Sequence, residues 1–77
     1  MSIILNDYEL IKSKKNGKTY AKYFLQFNKR KIYECFEECP EMLEQFLANN
    51  IDEDITEYVR YSYYDNIKGF KPYVKYN

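Results

Sequence analysis

The chain has 77 residues, and its 12 basic and 12 acidic side chains leave no formal net charge at pH 7. It has no histidine, which removes the usual general base and the commonest metal ligand, and its two glycines, Gly17 and Gly69, are too few for a phosphate-binding loop. Because it shows neither a secretion signal nor an apolar stretch near the ~20 residues of a membrane span, we expect a single small cytoplasmic domain.

The dipeptide Asn16-Gly17 is the strongest local signal in the chain. It is typical of a two-residue type I′ turn, in which both central residues need φ > 0. Such a turn predicts a hairpin of residues 3–13 with 19–27, in which Ile11 pairs with Lys22. The core-facing side of this hairpin is expected to carry Tyr8, Leu10, Ala21, Tyr23, Leu25 and Phe27. The opposite side is expected to be mostly solvated and to carry Asp7, Glu9, Lys22 and Gln26.

The residues after the hairpin predict a third strand and a helix. Residues 28–30 are typical of a turn, and residues 31–36 of a third antiparallel strand. Pro40 suits the first position of a helix, because its missing N–H leaves no hydrogen bond unmade there. Apolar residues at helical spacing, closed by Asn49-Asn50, predict that this helix covers 40–49. The predicted core is Leu10, Tyr23, Leu25, Phe27, Leu43, Phe46 and Leu47.

The segment after the helix carries two conflicting patterns. Three acidic residues at its start and Lys-Gly at 68–69 predict a second helix, whereas the abundance of tyrosine and valine in residues 58–64 is typical of a strand. We favour the helix for 55–64, with a short final strand or extended tail over 71–76. The predicted fold is α+β, a small three-stranded antiparallel meander packed against one or two helices.

The neutral total conceals three blocks of charge. Residues 1–33 carry eight basic and two acidic side chains, a net charge of +6, whereas residues 34–57 carry nine acidic side chains and neither lysine nor arginine. Residues 58–77 carry four basic side chains and one acidic side chain, a net +3. The ten tyrosines fall in the two basic blocks, and tyrosine suits contact surfaces because it combines a large area with few rotamers.

The sequence contains no set of residues that predicts catalysis or a bound metal. Cys35 and Cys39 have no second pair, so one chain cannot supply four thiolates to zinc, and we expect one or the other to be a small core residue. A calcium loop beginning at Asp52 has Glu57 where glycine is needed. A looser divalent site at Asp52, Asp54 and Glu57 is a weaker alternative to a solvated acidic face. We therefore expect no enzyme activity, no cofactor and no metal.

The acidic block predicts a surface that binds another protein. A carboxylate-covered helix with embedded aromatic residues suits a basic groove, such as that of a nucleic-acid-processing enzyme. The abundance of Lys, Asn, Ile and Tyr fits an AT-rich genome. In its size, this residue bias and its lack of catalytic residues the chain resembles small phage inhibitors as a type, without a shared motif. We expect a phage or mobile-element inhibitor or accessory factor that binds a host protein. Its predicted acidic face consists of Glu37, Glu41, Glu44, Asp52, Asp54 and Glu57.

The alternative is a small nucleic-acid-binding protein. Tyrosines interleaved with basic residues are the ingredients of a stacking platform for bases. The basic residues concerned are Lys14, Lys15, Lys18, Lys29 and Arg30. The strand from Lys18 to Lys29 spans roughly 35 Å, which separates the two basic clusters, and the acidic block repels phosphate. We therefore favour a protein partner.

A two-fold homodimer is also expected. The aliphatic core is small, and the surplus of tyrosines leaves aromatic surface for a second copy to cover. Residues 3–5 lie on an open edge of the predicted meander unless the tail covers them. The basic hairpin of one copy would lie against the acidic helix of the other, a contact that a two-fold axis repeats.

Overall fold

Two antiparallel sheets and one α-helix make up the computed structural model, which describes residues 2–63 and 70–76. The first sheet has the order β1-β2-β3, and β4 and β5 form a separate antiparallel pair. The predicted α+β fold with a three-stranded meander is confirmed. The elements in chain order are β1 (Ile3–Lys12), β2 (Thr19–Phe27), β3 (Lys31–Glu38), α1 (Glu41–Asn49), a 3₁₀ turn (Thr56–Tyr58), β4 (Val59–Tyr63) and β5 (Phe70–Val74).

The first hairpin forms as predicted, but its register differs by two residues. Ile11 pairs with Tyr20 and not with Lys22. The N–H of Ser13 donates to the Lys18 carbonyl at 2.8 Å, so four residues rather than two make the loop. A shift of two residues preserves the alternation of the strand, so the face assigned to each residue of β2 is unchanged.

The β1-β2 loop is not the predicted type I′ turn. Gly17 has φ 70°, but Asn16 does not have a positive φ. Asn16 acts instead through its side chain, whose Oδ1 accepts the N–H of Lys18 at 2.9 Å. Two consecutive positive φ values occur in the next turn, at Asn28-Lys29 (52° and 60°), as a type I′ geometry requires.

A β-bulge at Asn6 brings both halves of β1 onto the core face. Before the bulge Leu5 pairs with Leu25, and after it Tyr8 pairs with Tyr23. Simple alternation would place Leu5 and Tyr8 on opposite faces of the sheet, and the extra residue cancels that change of side. The beginning of β1 therefore joins the core, which the sequence analysis did not predict.

The core lies between one face of the first sheet, here called the inner face, and the residues of α1, β4 and β5. The buried apolar side chains are Ile3, Leu5, Ala21, Tyr23, Leu25, Cys35, Cys39, Leu43, Leu47, Ile55, Val59 and Val74. Four of the seven predicted core residues are among them, and Phe27 and Phe46 pack partly buried against them. The prediction for Leu10 is wrong: its side chain is 39% exposed, because it lies on an edge strand near the end of the sheet.

Helix α1 confirms the predicted helix to within one residue at its start. Pro40 immediately precedes it with extended backbone. Leu43 and Leu47, one turn apart, are buried on the side that faces the core. The helix ends at Asn49, and the following Asn50 caps it, since its Nδ2 donates to the Phe46 carbonyl at 2.7 Å. Among the described residues there is no helix with both the length and the apolar character needed to cross a membrane.

The chain that follows α1 covers the edge of β1 at its beginning. The N–H of Asp52 donates to the Leu5 carbonyl at 2.7 Å, and that of Ile55 donates to the Ile3 carbonyl at 2.8 Å. The side-chain Oγ1 of Thr56 accepts the Ile3 N–H at 3.0 Å. This edge, expected to be open unless the tail covered it, is therefore closed by residues 52–56.

The predicted second helix is wrong within the described residues. A single 3₁₀ turn leads directly into β4, and β5 pairs with it where a short final strand was expected over 71–76. Residues 59–63 form a strand and not a helix because β4 pairs with β5. In this pairing Val59 lies opposite Val74, and both side chains are buried. Residues 64, 68 and 69, on which part of the helix prediction depended, lie outside the described residues.

Candidate functional site

The first group of predicted acidic-face residues surrounds the beginning of α1. Glu41 and Glu44 are exposed in its first turn, where negative side chains favourably oppose the helix dipole. Glu37, near the end of β3, is half-buried. Burial, and then the charges of Glu44 and Glu37, raise the pKa of the Cys39 thiol. Both carboxylates therefore lie near Cys39, so this group forms one negative patch.

The second group follows the end of α1, about 13 Å away along a helix of nine residues. Asp52, Asp54 and Glu57 are all exposed there. The hydroxyl and N–H of Thr56 donate to Asp54 Oδ1, and these hydrogen bonds lower the pKa of that carboxyl below its usual range. The structure thus separates the predicted acidic face into two groups, one at each end of α1.

Exposed apolar side chains accompany both acidic groups. Met42, which follows Glu41 in the first turn of α1, is 60% exposed. Tyr58, which follows Glu57, is 42% exposed. The Tyr58 ring packs edge-on against Phe46 of α1 with 5.0 Å between centroids, which holds the 3₁₀ turn against the helix. We call the exposed side chains around the two ends of α1, namely Glu41, Met42, Glu44, Glu57 and Tyr58, the α1 surface.

No described cation forms an ion pair with the carboxylates of the α1 surface or with Asp52 and Asp54. The ion pairs among the described residues lie on the first sheet instead. Asp54 makes its hydrogen bonds with Thr56, and Glu41 accepts one from Gln45. The negative charge around α1 is therefore largely uncompensated within the described part of the molecule.

The predicted nucleic-acid-binding residues lie in two separate turns. Lys14, Lys15 and Lys18 are exposed in the β1-β2 loop, and Lys29 and Arg30 in the β2-β3 turn. These turns lie at opposite ends of β2, whose nine residues extend roughly 30 Å. The two clusters therefore do not line one groove.

The face of the first sheet that points away from the core, here called the outer face, is more apolar than the sequence analysis predicted. The strand register and the burial of alternate residues place six apolar or aromatic side chains on it: Ile4, Ile11, Tyr20, Phe24, Ile32 and Phe36. Its remaining polar side chains are Asp7, Glu9, Lys22, Gln26, Glu34 and Glu38. On β2 the signal for this face was the alternation of Tyr20 and Phe24 with buried residues, whereas the pairing of β3 with β2 places Ile32 and Phe36 on it.

The outer face has a stacked aromatic pair near the end that adjoins the β1-β2 loop. Tyr20 and Phe36 stack with 5.4 Å between ring centroids and 4° between ring planes. Lys22 Nζ lies 3.7 Å from carboxylate oxygens of both Glu9 and Glu34. Because Glu9, Lys22 and Phe36 occupy one row across the three strands, charged and aromatic groups alternate at close range.

The buried polar groups of the inner face have structural partners. Tyr23 Oη donates to Glu37 Oε2 at 2.8 Å and accepts the N–H of Val74 at 3.0 Å. Burial, the largest cause, raises the pKa of Tyr23 well above its ordinary range. Cys35 Sγ donates to the Pro72 carbonyl at 3.4 Å. These contacts attach β5 to β2 and β3.

Within residues 2–63 and 70–76 there is no cluster of three or more His, Cys, Asp or Glu side chains placed to hold a metal ion. Comparison of the chain with protein-family models, with curated proteins and with solved structures finds no match.

Proposed function

We propose that the protein is a non-enzymatic binding module whose α1 surface attaches to a basic region of another protein. The observation that supports this proposal is the combination of exposed apolar side chains with carboxylates that no described cation neutralises. Met42 and Tyr58 supply the apolar contacts. Methionine and tyrosine are enriched at the centres of protein interfaces, where the burial of apolar area stabilises the complex.

The carboxylates determine which partner surface is favoured. Glu41, Glu44 and Glu57 produce a negative potential that accelerates encounter with a basic surface and disfavours a negative one. A groove that binds the phosphate backbone of a nucleic acid has the complementary charge. The proposed partner is therefore a host nucleic-acid-processing protein, with this chain as a cytoplasmic inhibitor or accessory factor of phage or mobile-element origin.

The test compares two charge-reversed variants of the full chain. One is Glu41→Lys with Glu44→Lys on the α1 surface, and its matched control is Lys14→Glu with Lys15→Glu in the β1-β2 loop. The wild-type chain is used to capture proteins from a bacterium with an AT-rich genome, and mass spectrometry identifies them. The affinity of the captured protein for the wild-type chain and for each variant is then measured with purified components. The α1 variant should weaken binding at least about tenfold, and the loop variant should leave it nearly unchanged.

Two results would contradict the proposal. If the loop variant abolishes binding and the wild-type chain shifts oligonucleotides with an affinity that falls steeply as salt rises, the protein binds nucleic acid through its basic turns. If the chain converts a small substrate with an activity that survives repurification, it is an enzyme.

A further inference from the structure

We propose that the outer face of the first sheet is a second binding surface, for an arginine-containing segment of a partner protein. The inference rests on the proposed function in that the partner is a protein. It concerns a different face, since α1, β4 and β5 contribute their buried residues to the core on the inner side.

The outer face is apolar enough to drive association. Phe36 is 47% exposed and Ile32 is 54% exposed, and Ile11 is also exposed. None of the described elements packs over this face, although six of its side chains are apolar or aromatic. Exposed apolar side chains gathered on one face of a sheet indicate an interaction surface more often than a surface adapted only to water.

Charge selects the class of partner. Four carboxylates and Lys22 give the strands of the outer face a net charge of −3, and Lys18, which pairs with Glu38 at the rim of the face, reduces it to −2. A second copy packed face to face would set two negative faces against each other, and a nucleic acid would set phosphates against the same carboxylates. A cationic segment of another protein is complementary to both the charge and the apolar side chains.

The geometry at Phe36 favours arginine over lysine. Phe36 stacks on Tyr20 through one ring face, and because its side chain is 47% exposed, its other face can receive a planar guanidinium. Glu34 and Glu38 flank Phe36 two residues away on the same face of β3, about 7 Å along the strand in each direction. A guanidinium over the ring can therefore also donate forked N–H hydrogen bonds to a neighbouring carboxylate, a geometry that an ammonium cannot reproduce.

The ion pairs already present on this face do not block such a partner. Lys22 lies 3.7 Å from both Glu9 and Glu34, and Lys18 lies 3.7 Å from Glu38. These distances are long, and the side chains of Glu9, Glu34 and Glu38 are more than half exposed. Exposed pairs of this kind contribute little to stability, so an incoming arginine replaces them at small cost.

The test is an NMR titration of the ¹⁵N-labelled full chain with a blocked synthetic octapeptide of alternating arginine and valine. Amide shifts should concentrate in β2 and β3 around Tyr20, Lys22 and Phe36. A peptide with lysine in place of arginine should bind about threefold more weakly, and one with glutamate should not bind.

Matched variants locate the binding site. Phe36→Ser and Glu34→Gln should each weaken binding of the arginine peptide about three- to tenfold. Their controls are Tyr73→Ser, an aromatic residue 36% exposed on β5, and Glu53→Gln, an exposed carboxylate outside the face; both should leave binding unchanged. The dispersion of each spectrum shows whether the variant is folded, and Glu34→Gln removes no apolar contact.

Several outcomes would overturn the inference. Peptide-induced shifts on α1 alone, or equal effects of Phe36→Ser and Tyr73→Ser, would show that the outer face is not the site, while leaving the α1 proposal intact. Outer-face shifts upon dilution without peptide would assign the face to a second copy. The same shifts caused by an oligonucleotide would assign it to nucleic acid. Loss of host-protein capture through the α1 variant is measured separately, so the two proposals fail independently.

Discussion

The two faces of the first sheet are built from alternate residues of the same strands, yet they have opposite properties. On β2, Ala21, Tyr23 and Leu25 are completely buried, whereas Lys22 and Phe24 between them remain partly open to water. The inner face therefore accounts for much of the stability of the fold. The same strands fix the shape of the outer face, but its side chains remain partly open to water.

The polar groups on the two faces also differ in their contact with water. On the inner face the Tyr23 hydroxyl makes two short hydrogen bonds out of contact with water. On the outer face Lys22 makes two long ion pairs that solvent reaches. A buried group left without its partner costs free energy, whereas an exposed group regains water. Substitutions on the two faces should consequently have unequal effects.

The largest effect is expected for Leu25→Ala, which removes a fully buried side chain from the inner face. The free energy of unfolding should fall by about 2–5 kcal/mol, since the cavity adds to the loss of apolar burial. Phe36→Ala, on the outer face of the neighbouring strand, should cost only about 1 kcal/mol through the loss of its stacking with Tyr20. Urea denaturation measures both. Equal losses would show that the faces are not energetically distinct.

A subtler comparison uses two tyrosines of β2. Tyr23→Phe leaves the buried N–H of Val74 and the Glu37 carboxylate without the hydroxyl, and should cost about 1–3 kcal/mol. Tyr20→Phe, on the outer face, loses only an exposed hydrogen bond from Asn16 and should change stability by less than about 0.5 kcal/mol. Denaturant titrations of both variants at neutral pH decide the matter. A neutral result for Tyr23→Phe would mean that water replaces the hydroxyl.

Alkaline pH should remove the stabilising contribution of the Tyr23 hydroxyl. Burial raises the pKa of Tyr23 above its ordinary value of 10.0, so the hydroxyl ionises more readily in the unfolded chain than in the folded one. Its contribution is fully present below pH 10 and is lost above it, by at most about 1.4 kcal/mol per pH unit. The stability difference between wild type and Tyr23→Phe should therefore shrink from about pH 9 to about pH 11. An unchanged difference would contradict a buried, protonated hydroxyl.

A smaller effect is expected for the loop that sets the hairpin register. Gly17 has φ 70°, and a Cβ added there meets nothing within 4 Å. Gly17→Ala should therefore cost only the strain of a left-handed backbone, about 1 kcal/mol. Lys15→Ala in the same loop, with no positive φ, is the control and should be neutral. Thermal or urea unfolding measures both. If Gly17→Ala is neutral as well, the loop has rearranged.

Self-association is the prediction with the smallest expected effect on the fold. The β1 edge at Ile3–Leu5 is closed by residues 52–56, so strand pairing there no longer supports a dimer. The expectation now depends on exposed aromatic surface and on contacts between the basic loop of one copy and the acidic α1 of another. Light scattering at tens of micromolar protein should show a dimer that weakens in high salt. A single species at 9.5 kDa at low and high salt would exclude it.

Local patterns predicted the elements whose cause is local. The alternation of residues 19–27, the proline before α1 and the asparagine after it act within a few residues, and β2 and α1 form nearly as predicted. The bulge at Asn6 has no such signal, because it is fixed only when Leu5 meets Leu25 across the sheet. Strand β4 likewise depends on a partner strand seven to fifteen residues further along the chain, which the periodicity of its own residues does not reveal.

The candidate surfaces also differ in how far local sequence patterns predicted them. That Glu41 and Glu44 would be exposed followed from their positions on an amphipathic helix. The composition of the outer face required the side chains of three strands to be placed in register. Even a hairpin register two residues in error left Tyr20 and Phe24 on the correct face, but the contribution of Ile32 and Phe36 appeared only with the packed sheet.

The two buried cysteines allow the chain to report its own opening to a thiol-labelling reagent. Cys35 is covered where β5 crosses β3, and Cys39 lies at the junction of β3 and α1. Labelling of Cys35 therefore requires β5 to separate from the sheet, whereas labelling of Cys39 requires only that the beginning of α1 loosen. The ratio of the two labelling rates would distinguish detachment of the second sheet from fraying of the helix, in the natural sequence and without an introduced probe.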